Sequence, residues 1–368
     1  MTEITKLEEF FCTRFDRKHA FLAGRGTTAI WLALRAIKKA GGGGEIILPT
    51  LGCASLTQIV LQAGFRPVFA DVDPVEFTLA PSSFESKITT ETRGVLAVHL
   101  FGHPARMKEI CEIADRHGIF VVEDAAQSIG GTWAGKKMGS WGHFSIFSFG
   151  GQKIVNAGTG GALLLDDPGL AAIVSDEIRS LPYVKRDRAY ELMSLSHRNL
   201  YHSVVDLLRG NPHLSVHQVF APAIPLYEPL YLQAFDGNEA VGQKITEEIT
   251  RLDQNNAERI KKAYQYHSLL NGNDQLVLPS NWREAGTLWR YTFLISDPQK
   301  LLMVTQKLRK NRIHASNHYW SMADLLYGEK DHPNTAYVCP RILNLWVDES
   351  TAGDYISRSC EIILSGLQ

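Results

Sequence analysis

Gly94-Val95-Leu96-Ala97-Val98-His99-Leu100 is almost continuously apolar, and so is Gly118-Ile119-Phe120-Val121-Val122-Glu123-Asp124. Between them, residues 104–117 place apolar side chains at helical spacing. Strands apolar on both faces, joined by a helix, belong to a parallel sheet covered on both sides. The same alternation continues upstream. Residues 45–49 and 67–72 read as strands, and 54–63 and 81–88 as helices. Residues 27–37 read as a helix that follows a short apolar run at 19–23, and residues 4–17 form a helix before that run. The expected fold is therefore α/β, with a large unit whose mostly parallel sheet is sandwiched by helices.

Downstream the pattern changes. His143–Phe149 is rich in aromatic and β-branched residues, and Gly160–Asp166 reads as one more strand in an antiparallel hairpin. Residues 199–235 mix prolines with apolar and aromatic residues and read as an insertion that covers a site or builds a subunit interface. A long helix is expected over Lys244–Leu270. A smaller α+β unit follows, with a strand at 291–295 and helices at 298–310 and 350–366. The expected division is 1–243 for the large unit and 244–368 for the linking helix and small C-terminal unit.

Composition narrows the function classes. The chain has 368 residues, 45% hydrophobic and 21% charged, with a formal net charge of −1. That balance and the scattered basic residues give no nucleic-acid surface. No apolar run approaches the ~18 residues of a transmembrane helix, and the N-terminus lacks a signal-peptide core. The five cysteines (Cys12, Cys53, Cys111, Cys339, Cys360) are widely spaced and form neither CxxC pairs nor a metal cluster. Reduced thiols in a cytoplasmic protein are expected, with no metal.

Three motifs suggest chemistry. Gly24-Arg25-Gly26-Thr27-Thr28-Ala29 has the form GxGxxA between a short strand and a helix, where backbone N–H groups and the helix dipole favour an anion. A dinucleotide fingerprint would want an acid ending the next strand. That strand ends Leu48-Pro49-Thr50, with Glu45 at its wrong end, so the anion site stands and the dinucleotide reading weakens. Asp124 ends an apolar strand, where open α/β sheets place ligands, although it could also cap the next helix. Ser148-Phe149-Gly150-Gly151-Gln152-Lys153 leads into a second glycine-rich turn, Gly158-Thr159-Gly160-Gly161. Alone, Lys153 reads as a solvated loop lysine. In combination, an anion site, a strand-end acid and a Ser-x4-Lys element are what pyridoxal phosphate needs. Its phosphate wants amides and a hydroxyl, its ring nitrogen a carboxylate, and its aldehyde an amine.

Over residues 24–166 the sequence resembles the DegT/DnrJ/EryC1/StrS sugar aminotransferases, pyridoxal-phosphate enzymes of fold type I. The resemblance runs through Gly26-Thr27-Thr28-Ala29, Phe69-Ala70-Asp71-Val72-Asp73-Pro74, His99-Leu100-Phe101-Gly102-His103-Pro104-Ala105, Val122–Gln127, Ser148-Phe149, Lys153 and Gly158–Gly161. It implies that Lys153 holds the cofactor covalently and shuttles the proton. Asp124 would bond the ring nitrogen, and Gln127 would lie near the ring's phenolic oxygen. The Thr27 and Thr28 amides beside Gly26, with Ser148 Oγ, would hold the phosphate. A related branch has His at the lysine position and dehydrates sugars, and Lys153 argues against that branch. Cys53 falls where the family stacks an aromatic on the ring, and the Asn/Arg segment contributed by the partner subunit has no recognisable counterpart. Implied with the family are amino transfer from an amino acid, such as glutamate, to a keto-sugar linked to a nucleotide, and a homodimer with shared active sites. Readings left open are a PLP enzyme of another reaction type or acting on a non-sugar ketone, and a non-catalytic regulator of this fold. His99 and His103 are further candidates to line the site, or to be satisfied by hydrogen bonds. His314, His318, Tyr319 and Trp320 are candidates to face the substrate.

Overall fold

A computed structural model describes residues 2–368 except 185–187, 189, 197–198, 200–202, 204–206, 208–210, 212, 215–218, 220–227, 236–238 and 352. Its centre is a seven-stranded sheet made of β1 (His19–Ala23), β2 (Glu45–Pro49), β3 (Arg66–Ala70), β4 (Thr92–Val98), β5 (Phe120–Asp124), β8 (Phe144–Ser148) and β9 (Gly161–Leu165). Its order is β1-β9-β8-β5-β4-β2-β3. The ladders β8–β5–β4–β2–β3 are parallel, and β9 runs antiparallel to both its neighbours, so six strands share one direction. Every residue of β2 and β9 is buried, as a sheet covered on both faces requires. Because the six aligned strands end on one edge, the segments after β1, β2, β4, β5 and β8 gather there.

Helices cover the sheet: α1 (Glu3–Phe15), α2 (Gly26–Gly41), α3 (Ala54–Gln62), α4 (Pro81–Ser86), α5 (Met107–His117) and α6 (Pro168–Arg179). Local chemistry sets their ends. The Thr2 and Asp167 side chains accept first-turn N–H groups of α1 and α6, and Pro168 opens α6. Gly118 stops α5 in the left-handed conformation. On α1, Phe11 and Phe15 pack onto Phe147 and Phe149, which flank the end of β8. A two-stranded hairpin, β6 (Thr132–Trp133) and β7 (Lys136–Lys137), was not expected; its turn puts Ala134 and Gly135 at positive φ.

The single helix expected over Lys244–Leu270 is two, α7 (Glu239–Thr250) and α8 (Leu252–Leu270), parted at Arg251. Thr246 and Thr250 explain the break. Their hydroxyls donate to the carbonyls four residues back, at 3.1 and 2.7 Å, which bends a helix. Leu252 then turns into the core.

The C-terminal part carries its own antiparallel sheet, β10 (Leu276–Val277), β11 (Arg290–Ile295), β13 (Ile342–Trp346) and β12 (Ala315–Ser316) in that order. Packed on it are α8, α9 (Pro298–Lys310) and α10 (Tyr355–Leu367). The final helix was expected from residue 350. It starts at 355 because Asp348 and the residues after it form a hydrogen-bonded turn, in which Ser350 N and Thr351 Oγ1 donate to Asp348. The expected insertion, 199–235, lies largely outside the described residues. Of it, Tyr231–Phe235 returns to the sheet edge, where Gly24 N donates to Gln233 O at 2.9 Å.

Candidate active site

The site assembles on the shared strand edge. The first helical bond of α2 runs from Ala29 N to Arg25 O, so the amides of Gly26, Thr27 and Thr28 have no partner within the helix. The hydroxyls of Thr27 and Thr28 are committed elsewhere, donating to Tyr231 O at 3.0 and 2.6 Å. An anion at this helix start is therefore left with backbone donors. Ser148, at the end of β8, faces it: a Cβ built on Gly26 would lie 2.8 Å from Ser148 Cβ and 3.0 Å from its Oγ. Only a residue with no side chain lets helix and hydroxyl come so close. The two glycine-rich turns also meet, because Gly160 N and Thr159 Oγ1 both donate to Gly24 O at 2.9 Å.

Asp124 is buried at the end of β5, its Oδ1 accepting from Ala126 N at 2.9 Å. It thus does bind the following turn, and its second oxygen is left for another partner. Lys153 sits half-buried in a loop that closes on itself, with Phe149 N donating to Gly160 O and Ala157 N to Phe149 O. Gln152, just before it, adopts a positive φ of 68°. Burial pushes the Lys153 amine below its ordinary range; Asp124 and Cys53 oppose that, and Arg290 and Arg25 add to it. Burial likewise raises Asp124, with Lys153 the main opposing influence. Desolvation thus favours neutral forms for both, while their mutual attraction favours the ion pair.

Gln127 Oε1 accepts from Phe101 N at 2.6 Å, which fixes its amide, while Phe101 itself holds a positive φ of 61°. Cys53 is exposed just before α3 and accepts from Ser55 Oγ at 3.0 Å, while acting electrostatically on Lys153. Gly26, Thr27, Thr28, Cys53, Asp124, Gln127, Ser148 and Lys153 are therefore all at the strand edge or on segments tied to it.

Of the candidate histidines, His314 lines the cavity beside Lys153, whereas His99, His103 and His318 lie elsewhere. His99 is fully buried: its Nδ1 accepts from Ala105 N at 2.9 Å and its Nε2 donates to Glu123 Oε1 at 3.0 Å. Glu123 also accepts from the backbone of Gly139, Trp141 and Gly142. This network braces the strand end from behind, since His99 N donates to Asp124 O. His103 is buried against Asn281 and Phe77, and burial lowers its pKa to about 4. His318 pairs with Arg309, and the His314 ring packs on Trp346 at 5.6 Å. Tyr319 packs on Phe101 at 5.1 Å.

Sequence reading missed the wall supplied by the C-terminal part. Lys153 Nζ lies 5.8 Å from the Trp289 ring centroid, and the Trp289 indole donates to Gln152 O. The Arg290 guanidinium is sandwiched between Trp289 and Trp346, at 4.4 and 4.3 Å, and pairs with Asp348. Beside Lys153 a cavity of about 580 Å³ opens, lined by Asn255 and Arg259 of α8 and by Trp346 and Asp348. The one local signal was Arg290 itself, a charged residue opening the apolar run Tyr291–Ile295.

A model of the DegT/DnrJ/EryC1/StrS aminotransferase family matches residues 2–194. The chain belongs to that family. It is 41% identical over 169 residues to GDP-perosamine synthase of Caulobacter vibrioides, covering 46% of this chain and 45% of that protein. The chain thus spans about half the length of such curated relatives. A match along nearly the whole chain, 28% identical over 98% of it and 88% of the relative, is to the spore coat polysaccharide biosynthesis protein SpsC of Bacillus subtilis. The crystal structure of DesI with its TDP-sugar product superposes with a TM-score of 0.76 at 22% identity, over 100% of this chain and 85% of that one, and shows the fold. Pyridoxal phosphate is the cofactor indicated by this membership. The residues present fit it: first-turn amides with no partner in their own helix beside a serine hydroxyl, a buried strand-end carboxylate with a spare oxygen, and a desolvated lysine that this carboxylate influences.

Proposed function

We propose that this chain is a pyridoxal-phosphate aminotransferase that moves an amino group from an amino acid, such as glutamate, to a keto-sugar linked to a nucleotide. One observation supports it above the others: Lys153 and Asp124 act on each other electrostatically at the strand edge, where Gly26 at the α2 start packs against Ser148. In this reading Lys153 holds the cofactor, and the Gly26, Thr27 and Thr28 amides with Ser148 Oγ hold its phosphate. Asp124 faces the ring nitrogen, Gln127 the phenolic oxygen, and Cys53 the ring face. Bound there, the cofactor would supply an electron-withdrawing ring and a carbonyl that carries the amino group from donor to acceptor.

The protein's own contribution follows from its residues. Asp124, with one oxygen bonded to Ala126 N, presents the other at a fixed angle, and a cationic ring nitrogen there would restore its charged form. Lys153, once displaced by the donor, can take a proton at Nζ and return it, because burial brings its amine closer to neutrality than a free lysine. Trp289 covers one side of that amine and limits water. We further propose residues 1–243 as the cofactor-binding unit and 244–368 as the linking helices and smaller unit. We also propose a homodimer that shares its active sites, and a cytoplasmic setting consistent with five free thiols.

Adding pyridoxal phosphate to the purified chain should produce a near-visible absorption band, and glutamate should shift that band to shorter wavelength. Borohydride should trap cofactor on the wild type and none on Lys153→Ala. Trapping on that variant would show that another lysine holds the cofactor. A band that no amino donor moves would favour a different reaction or a non-catalytic role.

A further inference from the structure

Lining a different cavity from Lys153, the segment between the short helices Met322–Tyr327 and Pro333–Val338 brings Glu329, Asp331 and His332 together. One ligand atom from each lies within 4.8 Å of the other two. Glu329 and Asp331 are exposed, whereas His332 is 3% exposed. Its Nε2 faces Phe69 O at 3.3 Å. A carbonyl can only accept, so Nε2 carries the hydrogen and Nδ1 presents a lone pair. That Nδ1 is buried and has no hydrogen-bond partner, although it faces Asp331 Oδ1 at 3.4 Å. The other Asp331 oxygen turns toward Lys87 at 3.8 Å.

Three acceptors this close together repel one another, and a cation among them would relieve that repulsion. An imidazole that donates one N–H to a backbone carbonyl and offers its other nitrogen is oriented as metal-ligating histidines are. We propose that Glu329, Asp331 and His332 bind one divalent transition-metal cation of the zinc type. One imidazole and two carboxylates suit that class. Bonds of about 2.0–2.2 Å need the ligand atoms to draw closer than they stand, and the two exposed carboxylates are free to rotate inward. Glu329 and His332 also line a cavity of about 590 Å³, which leaves room for water to complete the coordination. The ion would tie the 329–332 segment to Phe69 at the end of β3, next to the place where Asp71 holds Asn334 and Thr335. Its role is structural and independent of the aminotransferase reading.

The test is calorimetric titration of the full-length chain with Zn²⁺, paired with thermal unfolding with and without the ion. The comparison variant is Glu329→Gln combined with Asp331→Asn. Both positions are exposed, so the variant keeps the fold and leaves His332 in place. The wild type should bind one equivalent saturably and melt at a higher temperature with Zn²⁺. The double variant should bind at least about 10-fold more weakly and lose the temperature shift. Equal binding by both proteins would place the ion elsewhere and overturn the proposal. No saturable binding by the wild type would overturn it too.

Discussion

Asp124 and Glu123 are neighbours in sequence with opposite fates. Glu123 has its carboxylate filled by His99 and three backbone donors, and although burial works against it, those bonds hold its pKa below the ordinary carboxylate value. Asp124 has one bonded backbone donor and a raised pKa, so it is the carboxylate with capacity for a ligand. Asp124→Asn should therefore keep the cofactor but slow amino transfer by on the order of 10²–10³-fold, as loss of a preorganised charge does. Single-turnover rates with glutamate check this, and a rate within a few fold of wild type would remove Asp124 from the mechanism. His103 gives a different residue-scale expectation. Its folded pKa of about 4 lies below the unfolded value of about 6.5. The unfolded chain thus binds the extra proton between these values, and stability falls as pH drops through that window. The full loss corresponds to roughly 3 kcal/mol. Denaturant unfolding at pH 7 and pH 4.5 should show a steeper loss in wild type than in His103→Gln, and equal slopes would refute the assignment.

Among the elements, the start of α2 matters most. The GxGxxA pattern suggested an anion site from sequence alone, and the structure adds why Gly26 is glycine: Ser148 occupies the place of its side chain. Gly26→Ala replaces a poor helix former with the best one, yet must push α2 away from β8. We expect pyridoxal-phosphate affinity to fall at least about 10-fold, with thermal stability little raised or reduced. Absorbance titration measures it, and unchanged affinity would show that helix and hydroxyl do not share a ligand. The apolar strands of the large sheet were legible because burial on both faces leaves a continuous apolar run. The hairpin β6–β7 was not, since two residues per strand leave no period to read. The break at Arg251 was missed because Thr246 and Thr250 act through their hydroxyls rather than through any breaker residue.

At the scale of the molecule, the C-terminal part is anchored to the large sheet by Asp71. Its carboxylate accepts from Asn334 N, Thr335 N and Thr335 Oγ1, all within 2.7–2.9 Å. Met322 N adds a bond to Thr50 O at 2.6 Å. The Asp71-Val72-Asp73-Pro74 stretch that helped mark the family is thus a joint rather than part of the reacting site. Asp71→Ala leaves buried donors unpaired and should cost roughly 2–4 kcal/mol in denaturant unfolding. Spectral binding of pyridoxal phosphate should persist at temperatures where the variant stays folded. A cost below about 0.5 kcal/mol would mean that the joint is held elsewhere.

The chain's sequence by itself determined the α/β class, the helix start at Gly26 and the order Thr27-Thr28, Asp124, Ser148, Lys153, because these follow from local periodicity and from residue types at strand ends. What only the tertiary structure decided is which groups meet. Trp289 and Arg290 reach Lys153 across more than 130 residues, and Ser148 sets the need for glycine at position 26. His99 and His103 are spent on buried hydrogen bonds. Periodicity reports which face of an element is apolar, whereas partnership between elements depends on packing that no local pattern encodes.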